Sequence, residues 1–224
     1  MVSPVSNPIP VPGTDCSKEF KAAYENRYTW DPDFSGYLGR CVWETDARSI
    51  EGCFKLNSDL KAEVFDIDDE KVHKSISSQL WEVAIHRVRR SFAKIHGENT
   101  FTAGDVNHIG MEVIVGGKNT GDKYRIKDNV VTMVNRHIHG QLITINTKSV
   151  TNTMKGYLSK EYTSQYSDPI KGEPIRGLSK FKDIFVPLYN NGPWVLTERS
   201  VQTESFGNEA NSFECFKFLD LKAQ

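Results

Sequence analysis

The segment whose residue types and spacing come closest to chemistry is His137-Ile138-His139. On an extended strand, residues two apart point to one face and stand ~6.6 Å apart. Two imidazoles so placed can share a metal ion or relay a proton. A metal needs a third ligand, for which His108, Asp105 or Glu112 on a neighbouring strand are the candidates. Gly140 follows directly, so the same residues also read as a hairpin turn that leaves both rings in water. The turn reading carries more weight, because an H-x-H pair without a third ligand at fixed spacing is a weak signature. No metal and no cofactor is assigned.

Arg136 beside this pair, and Glu161 and Tyr162 further on, are the other candidates for acid–base work. In the run from Tyr157 to Tyr166, Leu158, Tyr162 and Tyr166 point one way while Tyr157 and Glu161 point the other. A tyrosine or Glu161 on an inner face would serve as general acid or base. The same tyrosines are also ordinary strand formers.

A second group is Tyr24, Arg27, Tyr28 and Trp30. An arginine flanked by aromatics can clamp the anionic group of an otherwise apolar ligand. Alternatively, Tyr24 and Trp30 pin a first helix to the sheet, which is what such rings more often do. Trp43, Trp81 and Tyr157 complete the aromatic set assigned to ligand binding. His86, Arg87, Arg89 and Arg90 form a basic patch that would meet a phosphate or an acidic partner. The weightier alternative is a solvated helix face, with Glu82 pairing His86 or Arg89 at helical spacing. The sequence has no G-x-S-x-G elbow, no P-loop and no G-x-G-x-x-G, so neither a Ser-His-Asp triad nor a nucleotide cofactor is expected.

These residues need a scaffold, and strand patterns dominate. Tyr37, Cys41 and Trp43 alternate with polar neighbours, as do Ile50, Gly52, Phe54 and Leu56. A short strand over 61–65 follows. The helical stripe Val72, Ile76, Leu80, Ala84, Val88 with Trp81, Ile85, Phe92 and Ile95 predicts one helix from Asp69 to His96, roughly 40 Å long, stopped by Gly97. Strands are then expected near 100–104, 111–116, 122–127, 129–137, 140–147, 155–166, 178–188, 193–205 and 212–221. Gly116-Gly117, Asp128-Asn129 and Asn190-Asn191-Gly192 supply turns between them. Thr14 or Asp15 caps a short first helix that ends near Arg27. The expected architecture is α+β: a large curved antiparallel sheet, a half-barrel of roughly ten strands, crossed by one long helix, with a short N-terminal helix in addition. Residues 1–14 read as a flexible Pro-rich arm and 15–224 as a single domain.

Composition limits the partners. Lys and Arg total 28 against 29 Asp and Glu, a net charge of -1, so no nucleic-acid partner is expected. The four cysteines form no C-x-x-C pair and suit a reducing compartment. No signal peptide and no membrane span is read, and the chain is expected to be cytoplasmic. No oligomeric state is assigned.

Several stretches resemble the family of domains of unknown function DUF3386, found mainly in oxygenic photosynthetic bacteria. They are Ala22 to Trp30, Phe34-Ser35-Gly36-Tyr37, the run His86 to Phe92, Gly156-Tyr157-Leu158 and Tyr162. The resemblance covers most of the chain after the arm and implies homology without an activity. A fainter fold-level analogy is to the lipoprotein-carrier (LolA/LolB-like) half-barrels, which also combine a few strands, an inserted helix and a run of antiparallel strands. Such carriers need an export signal, which is not read here. The expected function is binding of an apolar or amphipathic small molecule, such as a pigment, lipid or isoprenoid, in a hydrophobic half-barrel cavity. The alternative is a cofactor-independent isomerase, cyclase or lyase using the same cavity.

Overall fold

Residues 11–224 are described by a computed structural model. Two-residue alternation and Gly/Asn turns produce twelve strands. They are β1 (Gly36–Glu44), β2 (Ser49–Asn57), β3 (Ala62–Phe65), β4 (Asn99–Asn107), β5 (Gly110–Gly117), β6 (Lys123–Lys127), β7 (Val130–Ile138), β8 (Gln141–Thr153), β9 (Gly156–Ser167), β10 (Ser179–Pro187), β11 (Trp194–Thr203) and β12 (Ser212–Ala223). Three helices accompany them: α1 (Ser17–Glu25), α2 (Glu70–Ile85) and α3 (Phe92–His96). The strands form one open antiparallel sheet in the order β3-β2-β1-β12-β11-β10-β9-β8-β7-β6-β5-β4. The expected architecture, a large antiparallel sheet with one longer helix and a short N-terminal one, is the one observed.

The turns work as their residue types require. Asp128 and Asn129 both adopt positive φ between β6 and β7, as do His139 and Gly140 between β7 and β8. Paired positive φ values make the tight turn whose twist matches the flanking strands. The last strand pairs with the first: Cys41 lies opposite Phe218 and Trp43 opposite Phe216. At the other edge, Gly13 N–H donates to the Ala103 carbonyl at 2.8 Å and Ala103 N–H to the Thr14 carbonyl at 2.9 Å, so this stretch lies along β4. Residues 1–10 of the expected arm lie outside the described residues.

Burial falls into two cores. In the first, Val72, Ile76, Leu80, Val83 and Ala84 of α2 meet Tyr37, Cys41, Phe54, Leu56, Phe216 and Phe218. Asp69 caps α2 by accepting from the N–H groups of Lys71 and Val72. In the second, Phe20 and Ala23 of α1 meet Phe101, Val113, Val115, Tyr124 and Val131.

The helix expected to run from Asp69 to His96 is in fact two helices. α2 ends at Ile85, and α3 begins only after Ser91, whose side chain accepts from Lys94 N–H. The Arg87 carbonyl is taken by Trp30 N–H at 2.8 Å, while Arg87 N–H turns back to Ala84. The apolar stripe is continuous in sequence but serves both cores. Residues up to Ala84 pack in the first, whereas Phe92 packs on Phe20, Tyr24 and His96 beside the second. The break lets one stripe turn from one core to the other.

Candidate functional site

The sheet register defines what lies between the cores. Directly paired residues of antiparallel strands share a face. Val134 pairs with Tyr124 and with Ile145, Ile143 with Arg136 and Tyr166, and Thr147 with Tyr162. Tyr162 in turn pairs with Phe181, which pairs with Val201. Tyr124 belongs to the core under α1, and Phe216, paired with Arg199, to the core under α2. All these residues therefore lie on the helix side. α1 packs on β4, β6 and β7, and α2 on β1, β2 and β3. Ile143, Ile145, Tyr162, Tyr166 and Phe181 are half-buried between them, with Val134 packed against the core under α1 and Val201 against the core under α2. They form an open apolar strip. The space expected to be a half-barrel cavity is instead occupied where the helices pack, because α2 and α1 each fill a core of their own. Two surface depressions, one beside Ile67 and His73 and one beside Leu38 and Phe65, lie apart from it.

A polar cluster closes the strip on the α2 side. Arg199 and Asp183 are cross-strand partners, each 2% exposed. Arg199 donates from Nε to Asp183 Oδ1 at 2.8 Å and from Nη2 to Oδ2 at 2.7 Å. It also donates to Gln79 Oε1 at 2.9 Å and to the Tyr162 hydroxyl at 2.7 Å. Burial works to discharge Arg199, but Tyr162, Asp183 and Glu82 outweigh it and hold the guanidinium charged. Burial pushes the Tyr162 hydroxyl far above its ordinary value. The Tyr162 ring stacks on Phe181 with centroids 4.7 Å apart.

Two further arginines approach this cluster. Arg87 donates from Nη1 to the Tyr28 carbonyl at 3.1 Å, and its guanidinium carbon stands 5.5 Å from the centre of the Phe185 ring. Its Nε is buried and has no acceptor. Burial, together with Arg27 and Arg199, lowers its pKa to about 10 against the opposing pull of Asp183 and Tyr162. Arg27 lies 3.9 Å over the Tyr24 ring and donates from Nε to the Tyr24 carbonyl. His86 is exposed by area, yet the surrounding protein and Arg87, Arg27, Arg199 and Arg90 push its pKa down to about 4.

The proposed acid–base residues do not converge. Tyr162 and Arg136 share the helix side, but Arg136 is tied by its Nε to Asp122 Oδ2 at 3.0 Å. His137, next along the strand, faces the opposite side, exposed, with its N–H donating to Asp122. His139 sits in the turn with φ 50, outside the strand alternation. Glu161 faces away from Tyr162 and accepts from Ser149 Oγ. Among the described residues, no three His, Cys, Asp or Glu side chains gather as a metal site.

Of the proposed ligand-binding residues, Arg27 and Tyr24 are together as described. Trp30 is buried, donating from Nε1 to the Trp194 carbonyl at 2.9 Å, and Trp43 donates to Glu214. Tyr157 is buried and accepts from Val131 N–H through its hydroxyl. Trp81 is 52% exposed and lies away from the buried stripe of α2.

Residues 11–223 match the family described as Protein of unknown function (DUF3386). The chain belongs to this family. No curated protein matches it. Among solved structures, it is similar to a LolA superfamily protein from Nitrosomonas europaea, at 8% identity over 94% of each chain with a TM-score of 0.34. It is also similar to a DUF1329 family protein from Desulfovibrio piger, at 10% identity over 94% of each chain with a TM-score of 0.28. A third is a putative outer membrane lipoprotein-sorting protein domain from Vibrio parahaemolyticus, at 9% identity over 87% of each chain with a TM-score of 0.30. At these scores the likenesses carry no argument about function. No helix among the described residues is long and apolar enough to cross a membrane.

Asp183 and Arg199 were not singled out from the sequence. Their signal was a charge at a core-facing position: Asp183 stands two residues from Phe181 and Phe185, and Arg199 two from Val201. A charge within such a set implies a buried partner.

Proposed function

We propose that the strip between the two cores binds an apolar or amphipathic small molecule of the lipid, isoprenoid or pigment kind. One observation carries this reading: the half-buried apolar residues Ile143, Ile145, Tyr166 and Phe181 share the helix side of the sheet and belong to neither core, with Val134 and Val201 at the edges of the two cores on either side. A ligand lying there removes apolar surface from water, which drives association. The charged margin gives it a polar end to address. No geometry favours the acid–base alternative. Tyr162 is held by Arg199, and His137, His139 and Glu161 lie off the strip.

Native mass spectrometry of the freshly purified protein tests this, with Ile145→Asp as the variant. The expected result is a bound organic mass that activation releases and that Ile145→Asp reduces, since a carboxylate there puts charge under the ligand. A protein that purifies bare and takes up neither dodecan-1-ol nor retinol when they are added would overturn the reading.

A further inference from the structure

We propose that the ligand's polar end is an oxyanion, a carboxylate or a phosphate, held by Arg87 and Arg27 at the margin of the strip. This rests on the strip being the binding face.

The charges beside the strip do not balance. Arg27, Arg87 and Arg199 face Asp183 and Glu82. Asp183 is engaged through both oxygens by Arg199, and Glu82 also lies beside Arg199 at 3.5 Å. Among the described residues, neither Arg87 nor Arg27 forms an ion pair. A buried N–H without an acceptor is costly and rare in folded proteins, and Arg87 Nε is such a group. Nε is shut off from solvent while the residue as a whole is half-buried, so an oxyanion meets the open side of the guanidinium, reaches Nε with a small side-chain shift, and relieves the repulsion among the arginines. The low pKa of His86 points the same way: after burial, every named cause is an arginine and none is a carboxylate.

Both guanidiniums are set in place before any ligand arrives. Arg87 is fixed by the Tyr28 carbonyl and the Phe185 ring, and Arg27 by the Tyr24 ring and carbonyl. Rigid forks of this kind suit planar carboxylates and phosphates, and little ordering cost remains on binding. The tyrosine-rich, partly apolar surroundings strengthen the pairing relative to open water.

Calorimetric titration with dodecanoate, dodecyl phosphate and dodecan-1-ol, all below their micelle concentrations, separates head from tail. At least one anion is expected to bind tighter than the alcohol by at least about tenfold, the contribution of one charge-assisted hydrogen bond. Which anion is preferred identifies the source as a carboxylate or a phosphate. Arg87→Met should bring the anion down to the alcohol's affinity and leave the alcohol unchanged, while Arg89→Met, on the exposed turn, alters neither. If Arg87→Met does not fold, added sodium chloride serves instead on the wild type, weakening the anion and sparing the alcohol. Equal binding of acid and alcohol, or an anion preference untouched by both Arg87→Met and salt, overturns the head-group assignment while the strip stands. Failure of all three probes to bind removes the strip and this inference together.

Discussion

Replacing Arg199 by methionine would strike the most heavily bonded side chain between the cores. The substitution removes both hydrogen bonds to Asp183, the bond to Gln79 and the bond to the Tyr162 hydroxyl. The decisive loss is at Asp183, which is 2% exposed and would be left as a buried carboxylate without its hydrogen-bonded cation. Breaking one side of such a pair costs about 3–5 kcal/mol. With a urea m-value of about 2–3 kcal/mol per molar, the unfolding midpoint moves down by about 1–2.5 M. The double variant Asp183→Leu/Arg199→Met removes both charges and leaves apolar side chains among Phe181, Phe185 and Phe216, so most of the loss should return. Replacing a whole buried pair is often neutral or stabilising. Equilibrium unfolding followed by tryptophan fluorescence measures both of these and the Asp183→Leu single variant against wild type, and the double-mutant cycle gives the coupling. A single variant that loses less than about 1 kcal/mol, or a double variant as unstable as the sum of its parts, would refute the reasoning.

Two further effects follow from the packing. His96 is 4% exposed within the aromatic group of Phe20, Tyr24 and Phe92, and burial with Arg136 and Arg27 pushes its pKa to about 4. Its contribution is complete above the ordinary histidine pKa and is lost as pH falls towards about 4, because only the unfolded chain binds the proton in that window. Between about pH 7.5 and about pH 5, wild type should lose about 2 kcal/mol more than His96→Phe in urea titrations, and parallel curves would contradict this. Gly156 has φ +129, and a Cβ there would run into the Asn26 carbonyl at the joint between α1 and β9. Gly156→Ala should cost roughly 2–3 kcal/mol, a fall of about 5–10 °C in thermal midpoint. Gly207→Ala, with φ +58 and open space, is the comparison and should cost about 1 kcal/mol. Equal losses from the two would show that the joint is not what holds Gly156.

The strands were legible because their signals are local. Alternation at Tyr37, Cys41 and Trp43 and at Phe54 and Leu56 marks one buried face, and Asp128-Asn129 can turn the chain with positive φ. The helix boundary was less legible. Helical spacing persists from Val72 to Ile95, and nothing local says that the stripe changes cores, although Ser91 before Phe92 is a cap signal. The polar cluster needed the register. Asp183 meets Arg199 only because β10 and β11 pair as they do beside a bulge, and Gln79 reaches them from a helix far away in sequence. Arg27 and Arg87 were visible as candidate anion groups, but their approach to each other depends on Trp30 and Tyr28 bonding to the turn after α2. For His137 and His139 the hairpin turn carries more weight in the sequence than a paired site, and β7 does end at Ile138, so their two-residue spacing does not carry over into one strand face.

The pairing of β12 with β1 has a kinetic consequence. From β4 to β12 each strand lies beside the next in the chain, so these hairpins can close as they leave the ribosome. The segment β1 to β3 with α2 is made well before β12, yet β1 has no second neighbour until residues 212–223 arrive. Tyr37, Cys41, Phe54 and Leu56 must therefore wait for Phe216 and Phe218. The first three strands of the sheet are joined to the rest of it last. During that interval their apolar face is open to wrong partners, so aggregation during folding should start from this stretch.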